Sequence, residues 1–232
     1  MKHIKSLFPI FIILIFTFSQ IGLGSIYGNS YNCETRSSKI ILLTGFEAFG
    51  IYNINPSQLI VENLSGQIIN GAEIIGIILP VDFEESEEIA AQAIEQYKPI
   101  IVLSLGLSPK TEDIDVEKFA INIMRCPIDN DTWSFPKRID KKAPLIRFSQ
   151  FKVAKTVKNI ESSGIPAHFG YFAGTYVCNY LFYQTLGYVN KNCLSIDVGF
   201  IHVPLLDSQD PAGMKLDLMI EAVTITLETC TS

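Results

Sequence analysis

The 232-residue sequence is poor in the side chains that hold metal ions and nucleic acid. It has three histidines and five cysteines, and no two cysteines are spaced as Cys-x-x-Cys. Zinc sites draw their ligands from these residue types at short spacings, so a metal site is not expected. The net charge is −6 and no cluster of Lys and Arg is present. Because phosphate binding needs such a cluster, a nucleic-acid partner is not expected either.

Long apolar runs are also scarce, and the longest lies at the N-terminus. Residues 1–5 are basic, residues 7–18 are almost wholly apolar, and Gly22 and Gly24 are small residues before a cleavage point after Gly24. This is the pattern of a secretory signal peptide, and the run is short for a membrane span, which needs about 20 apolar residues. We expect residues 1–24 to be a signal peptide of an exported protein, with an uncleaved anchor as the alternative.

The remaining chain has the length of one domain. Residues 25–38 are polar and have little apolar periodicity, so they are predicted to be a flexible lead-in, and residues 39–232 to form a single domain. In an exported protein the four cysteines other than Cys178 could form two disulfides, although the sequence does not pair them and buried free thiols are an equal alternative. These four are Cys33, Cys126, Cys193 and Cys230.

Strand-like and helix-like segments alternate from residue 39 onward. The strand candidates are residues 40–44, 73–79, 100–105, 118–123, 168–172 and 194–203. The helix candidates are residues 57–64, 84–97, 150–162, 176–188 and 216–229. Strands that are apolar on both faces and separated by helices are typical of a parallel sheet covered on both sides. The pattern predicts an α/β protein, a three-layer α/β/α sandwich with a mostly parallel central sheet.

Two short stretches contain the residue types of a cysteine hydrolase. Cys178 lies at a turn that opens into a helical run, and His202 lies at the far end of an apolar strand. A thiol is nucleophilic as thiolate, and a helix N-terminus and a nearby imidazole both favour that form. His202 is at the strand end where parallel α/β sheets gather their ligands. The alternative for each residue is an ordinary place in the core, since free cysteine is often buried.

A nucleophile and a base usually need an acid that holds the imidazole in one tautomer. The segment before the fourth strand candidate contains several acids, and spacing does not choose among them. They are Glu112, Asp113, Asp115 and Glu117.

Three other features have both a functional and a structural interpretation. Phe46 and Phe49 lie in a glycine-flanked turn that lacks the Lys and Ser/Thr of a phosphate loop, so they either line an apolar ring pocket or belong to the core. Asn55 precedes Pro56 and is first of all a predicted helix N-cap, to which a ligand contact would be additional. Trp133 lies in the long loop 126–144, where it either covers the site or packs the loop down.

Six motifs, in order along the chain, resemble the pyroglutamyl peptidase I (pyrrolidone-carboxylate peptidase) family. The resemblance runs from about residue 39 to residue 229 and rests on residues 44–50 (Thr-Gly-Phe-Glu-Ala-Phe-Gly), 55–57, 79–81, 116–122, 173–180 and 199–204. It implies a cysteine omega peptidase that removes N-terminal pyroglutamate (5-oxoproline) from peptides through a thioester acyl-enzyme, without a cofactor, as a homo-oligomer, commonly a tetramer. It also selects Glu117 as the acid that completes a triad with Cys178 and His202.

The resemblance extends to the substrate pocket, with three departures. It implies that Phe46 and Phe49 line the pocket, with Asn55, Leu107 and Val177 as further candidate contacts. Leu107 stands where many bacterial relatives have a substrate-binding glutamine, and Lys118 stands where arginine is usual; lysine lacks arginine's bidentate fork. The export signal also departs from relatives that are mostly cytoplasmic. The alternatives are a cysteine hydrolase acting on another amide or ester, and an exported binding protein without activity.

Overall fold

The computed structural model describes residues 39–128 and 132–232, so the predicted signal peptide, the lead-in and Cys33 lie outside the described residues. The strands are β1 (Lys39–Phe46), β2 (Ile68–Ile69), β3 (Ala72–Leu79), β4 (Ile101–Leu107), β5 (Ile114–Glu117), β6 (Phe119–Ile121), β7 (Ile146–Phe148), β8 (Ala167–Gly170) and β9 (Asp197–Val203). The helices are α1 (Pro56–Leu64), α2 (Phe83–Tyr97), α3 (Val153–Ser162), α4 (Val177–Lys191) and α5 (Leu216–Thr231).

The described strands form a large sheet of seven strands in the order β2-β3-β1-β4-β9-β5-β8. β1 lies parallel to β3 and β4, and β4 lies parallel to β9. β5 runs antiparallel to β9 and parallel to β8, and the short β2 is antiparallel to β3. The prediction of a mostly parallel central sheet is confirmed.

The sheet has a helical layer on each face. Successive side chains of a strand point to opposite faces, and in β1 the fully buried Ile41 and Leu43 join a core cluster with α1, α3 and α5, whereas Leu42 joins one with α2 and α4. Burying such side chains stabilises the fold by about 1.5–3 kcal/mol each. The predicted three-layer α/β/α arrangement is therefore confirmed.

The strand predicted over residues 118–123 is present as the shorter β6, but it lies outside the large sheet. β5 ends at Glu117 in the large sheet, and β6 pairs antiparallel with β7 in a separate two-stranded sheet. The chain passes from the large sheet to the small one at Lys118, whose N–H still donates to the Gly170 carbonyl of β8, 2.8 Å away. β5 was not predicted, because its polar residues alternate with apolar ones and only one of its faces is apolar.

Candidate active site

Cys178 is the second residue of α4. Gly174 makes the turn before the helix with a φ of 82°, a conformation that favours glycine. Tyr176 is the N-cap, and its side chain makes no capping hydrogen bond. The first N–H groups of a helix have no partner within it, so the partly buried thiol of Cys178 lies beside backbone donors that can stabilise an oxyanion.

Asn179 anchors this helix start to the neighbouring strand. Its side chain is fully buried, accepts a hydrogen bond from the Ile121 N–H at 2.9 Å, and donates to the carbonyls of Ile121 and Ile123, each also at 2.9 Å. Three bonds from one buried amide hold Cys178 at a constant distance from β6. Sequence reasoning missed Asn179, although a polar amide within an apolar helix is a signal that could have revealed it.

His202 and Glu117 face each other across the antiparallel pair of β9 and β5. The His202 Nδ1 lies 2.8 Å from the Glu117 Oε1, and the two residues are only 7% and 2% exposed. Of the four acids that spacing left open, Glu117 is therefore the one in hydrogen-bond contact with His202. The Glu117 Oε2 is buried without a hydrogen-bond partner among the described residues.

Two glycines make room for these side chains. A β-carbon on Gly106, in β4, would lie 2.7 Å from the Cys178 Sγ and 3.2 Å from the His202 Cδ2. A β-carbon on Gly170, in β8, would lie 2.5 Å from the Glu117 Oε2. The thiol and the imidazole therefore meet above Gly106, and the carboxylate occupies the space above Gly170.

The surroundings of His202 favour its protonated form. Burial lowers the pKa of this imidazole, but hydrogen bonds to Cys178 and Glu117, together with the negative charges of those two groups, outweigh burial and raise the pKa from 6.5 to about 10. A buried imidazole between a thiol and a carboxylate is the arrangement in which a proton passes from sulfur to nitrogen.

The predicted pocket residues are mostly buried. Phe46 and Val177 are 3% and 1% exposed and belong to one core cluster, against which Cys178 also packs. Leu107, 5% exposed, ends β4 directly after Gly106. Phe49 is half-buried with its ring edge-on to Tyr52 at 6.0 Å. Phe46 and Val177 thus belong to the cluster against which Cys178 packs, and their contact with substrate stays a prediction.

Asn55 is the predicted N-cap of α1. Its side-chain oxygen accepts from the Ser57 N–H at 3.0 Å, and its amide donates to the Glu47 carbonyl at 2.9 Å. The residue is 1% exposed. Its amide therefore shapes the turn that carries Phe49, and a contact between Asn55 and substrate stays a prediction.

The long loop is tied to the segment before Cys178. The Trp133 ring packs edge-on against Tyr176 with centroids 5.1 Å apart, and the Arg125 N–H donates to the Thr175 carbonyl at 2.8 Å. Trp133 therefore packs its loop down, and it does so beside the start of α4, where it remains 38% exposed.

Lys118 points to aromatic rings. Its Nζ donates to the Tyr171 hydroxyl at 3.0 Å and lies 4.0 Å from the centre of the Phe169 ring. A cation over a ring face is stabilised by the ring's quadrupole. The lysine thus links β6 to the end of β8.

Within residues 39–128 and 132–232 there is no group of three or more His, Cys, Asp and Glu side chains placed to hold a metal ion. The four described cysteines, Cys126, Cys178, Cys193 and Cys230, are free thiols. The same residues include no helix with the length and apolar character needed to span a membrane.

A three-layer α/β/α fold with a cysteine at a helix start, above a buried histidine and glutamate, defines the class of cysteine hydrolases. Comparison with known proteins narrows the class. A family model described as pyroglutamyl peptidase matches residues 39–232. Pyrrolidone-carboxylate peptidase 1 of Caldanaerobacter subterraneus subsp. tengcongensis is 38% identical over 190 residues, 79% of this chain and 93% of the relative. The pyrrolidone-carboxylate peptidase of Thermoanaerobacter pseudethanolicus is 42% identical over the same shares of both chains.

Solved structures agree. The pyrrolidone carboxyl peptidase from Thermococcus litoralis superposes with a TM-score of 0.78 at 33% identity, over 83% of this chain and 93% of that chain. Pyroglutamyl peptidase I from Bacillus amyloliquefaciens also gives 0.78, at 30% identity, over 83% and 97%. The chain belongs to the pyroglutamyl peptidase family, a family of cysteine omega peptidases.

Proposed function

We propose that this enzyme removes N-terminal pyroglutamate from peptides, with Cys178 as nucleophile, His202 as base and Glu117 as the acid that orients the base. The observation that carries the proposal is the buried 2.8 Å contact between His202 and Glu117, above which Cys178 lies at the start of α4. Membership of the family supports the substrate class.

Before acylation the thiol proton has passed to His202, which leaves a Cys178 thiolate beside a protonated imidazole, and in the acylation step this sulfur attacks the carbonyl carbon of the pyroglutamyl residue. Backbone N–H groups of the first turn of α4 donate to the oxyanion of the tetrahedral intermediate. His202 then gives its proton to the leaving amine as the C–N bond breaks. A thioester and a peptide shortened by one residue result. In deacylation, water adds to the thioester with His202 as base, and release of pyroglutamate restores the thiol.

Glu117 determines which nitrogen of His202 faces the thiol. Because the carboxylate accepts a hydrogen bond from Nδ1–H, Nε2 is the atom directed to Cys178. Both partners are almost wholly buried, so water does not compete for this bond.

Selectivity for pyroglutamate follows from the apolar surroundings of the thiol. The pyroglutamyl ring has no free α-amine, whereas an ordinary N-terminus brings an ammonium group whose burial without a partner is costly. Phe46, Phe49 and Val177 are the proposed apolar wall, and Asn55 supports the turn that carries Phe49. Leu107, the last residue of β4, is a further proposed contact.

Leu107 should weaken binding of the lactam, because leucine offers no hydrogen bond where relatives have glutamine. We expect Leu107→Gln to lower KM by about 5–10-fold, the value of one added hydrogen bond, with kcat little changed. Steady-state kinetics with a pyroglutamyl amide measures both. A KM that rises or stays the same would remove position 107 from the substrate pocket.

A fluorogenic pyroglutamyl amide, assayed with and without added thiol, tests the proposed function. Glutamyl and alanyl amides of the same fluorophore are the matched controls. We expect turnover of the pyroglutamyl amide and none of the glutamyl and alanyl amides. Labelling of Cys178 without pyroglutamyl turnover would support a cysteine hydrolase with another substrate, and absence of both would support a protein that only binds.

We also propose that the chain is exported through residues 1–24 and forms a homo-oligomer, a tetramer in line with the family resemblance. Exposed apolar side chains such as Phe135, Ile146 and Phe148, at 94%, 42% and 68%, support association of subunits. Light scattering measures the oligomer. N-terminal sequencing of the native protein, expected to begin after Gly24, tests export, and a native N-terminus at Met1 would contradict it.

A further inference from the structure

A second acid, Asp115, lies beside His202 in the neighbouring strand β5. In the large sheet, Asp115 of β5 pairs directly with His202 of β9 and, on its other edge, with His168 of β8. Neighbouring strands are about 4.8 Å apart, and directly opposed side chains lie within about 5.5 Å at their β-carbons. Asp115 is therefore the residue between the two imidazoles of the sheet.

All three side chains point to the same face. Ile114, Val116 and Ile201 belong to the cluster formed with α1, α3 and α5. Since side chains alternate along a strand, Asp115 and His202 point to the opposite face, where Glu117 and Cys178 also lie. His168 follows Ala167, which belongs to that same cluster, so His168 points to the face of Asp115 as well. The result is a row of imidazole, carboxylate and imidazole across three strands.

The row continues to the surface. The His168 Nε2 is in ion-pair contact with the Asp113 Oδ2, and the side chains are 63% and 25% exposed. The titratable neighbours of Asp115 in the described sheet are Glu117 on its own strand, His202 on β9 and His168 on β8, with Asp113 behind His168.

The carboxyl of Asp115 is half-buried on this face of the sheet. Burial raises its pKa above the ordinary 3.8 and the charge of Glu117 adds to this, while a hydrogen bond to Thr111 and the charges of His202 and His168 act in the opposite direction. A partly buried carboxylate beside His202 stabilises the protonated imidazole, because opposite charges at this range interact strongly.

We propose that Asp115 is a positioning residue of the active site, whose carboxylate stabilises protonated His202 from the neighbouring strand. The proposal rests on the proposed role of His202 as the base. Asp115 touches neither thiol nor substrate in this scheme. It acts by extending, toward alkaline pH, the range in which His202 keeps its second proton.

The histidine ring signals test this directly, because the sequence contains only three histidines. In protein labelled at the histidine Cε1, Asp115→Asn is expected to lower the pKa of His202 by about one unit or more. Asp113→Asn and Glu112→Gln, which change acids earlier in the same segment, should leave the pKa of His202 nearly unchanged. An unchanged His202 pKa in folded Asp115→Asn would overturn the proposal.

Two further readouts separate the outcomes. Titration needs no turnover, so a shifted His202 in a protein that does not cleave pyroglutamyl amides would refute the proposed function and leave this inference standing. If pyroglutamyl amides are cleaved, the alkaline limb of kcat/KM must move to lower pH in Asp115→Asn, and an unmoved limb contradicts the inference. Should asparagine prevent folding, the wild-type chain suffices: the His202 signal must show a step where the Asp115 carboxyl titrates, and a flat signal refutes it.

Discussion

The amino end of α4 and the carboxyl end of α5 each carry a cysteine, and their surroundings are opposite. Cys178 and Cys230 are both free and partly buried. Cys178 lies at a helix start, where the helix dipole favours a negative charge, in hydrogen-bond contact with His202. Cys230 lies at a helix end, where burial and then the charge of Asp197 raise the pKa of its thiol to about 12. The two thiols thus have similar exposure and different chemistry, because the end of the helix and the neighbouring charges determine whether a thiolate is stabilised.

Replacing each of the two cysteines in turn should give the largest difference between them. We expect Cys178→Ser to lower kcat/KM for a pyroglutamyl amide by at least about 10³-fold, since loss of a nucleophile disables the whole catalytic unit. Cys230→Ala should leave the rate within about 2-fold, because it changes a side chain far from the chemistry. Retained activity in the serine variant, with circular dichroism showing an intact fold in both, would exclude Cys178 from the mechanism.

Glu117→Gln is expected to lower kcat by about 10²–10⁴-fold, less than the loss of Cys178, because the acid orients the base and forms no bond to substrate. Glu112→Gln, which changes an exposed acid five positions earlier, is the matched control and should keep wild-type kinetics. Steady-state rates of the two variants at pH 7 measure this difference. If a substitution at Glu112 or Asp113 lowered the rate and Glu117→Gln did not, the orienting acid would not be Glu117.

Gly106→Ala should separate the thiol from the imidazole. Its β-carbon would lie 2.7 Å from the Cys178 Sγ, and displacement of a reacting group by about 1 Å costs about 10²-fold in rate. Gly199→Ala, in the neighbouring strand β9, would place a β-carbon 2.5 Å from the Phe151 ring. It should therefore destabilise the fold by about 1–3 kcal/mol without touching the thiol. Denaturant titrations and kcat together distinguish the two. Equal kcat losses at equal stability would show that Gly106 has only a packing role.

The smallest expected effect is on stability at alkaline pH. Because the folded-state pKa of His202 is raised from 6.5 to about 10, its stabilising contribution is complete below pH 6.5 and is lost as the pH rises through about 10. Glu117→Gln removes one cause of the raised pKa, so the loss should begin at lower pH in that variant. Urea titrations between pH 6 and pH 10 measure this. Parallel stability curves for wild type and variant would contradict the assigned protonation of His202.

The layered fold was predictable from the sequence because strands buried on both faces leave long apolar runs, as in β1 and β4. β5 was not found, since Asp115 and Glu117 interrupt its apolar pattern. Yet β5 holds the acid of the site. Its position depends on pairing with β9, more than 80 residues away in sequence, and such a register cannot be read from either segment alone.

The candidate site divides in the same way. Cys178 and His202 could be selected because each lies at a recognisable boundary of a helix or strand. Gly106 and Gly170 could not, because the reason for a glycine there is a side chain from a distant element. Asn179 could be noticed as an amide within an apolar helix, but its partners could not be predicted, since they are Ile121 of β6 and Ile123, two residues beyond that strand.

The central claim is that Cys178, paired with His202, is the thiol that cleaves pyroglutamyl peptides. Substoichiometric iodoacetamide at pH 7, with peptide mapping of each cysteine and residual activity measured on the same samples, tests it most directly. The account predicts that activity falls in proportion to alkylation of Cys178 while Cys230 remains unmodified. Full activity in protein alkylated at Cys178, or loss of activity that follows Cys230, would contradict it.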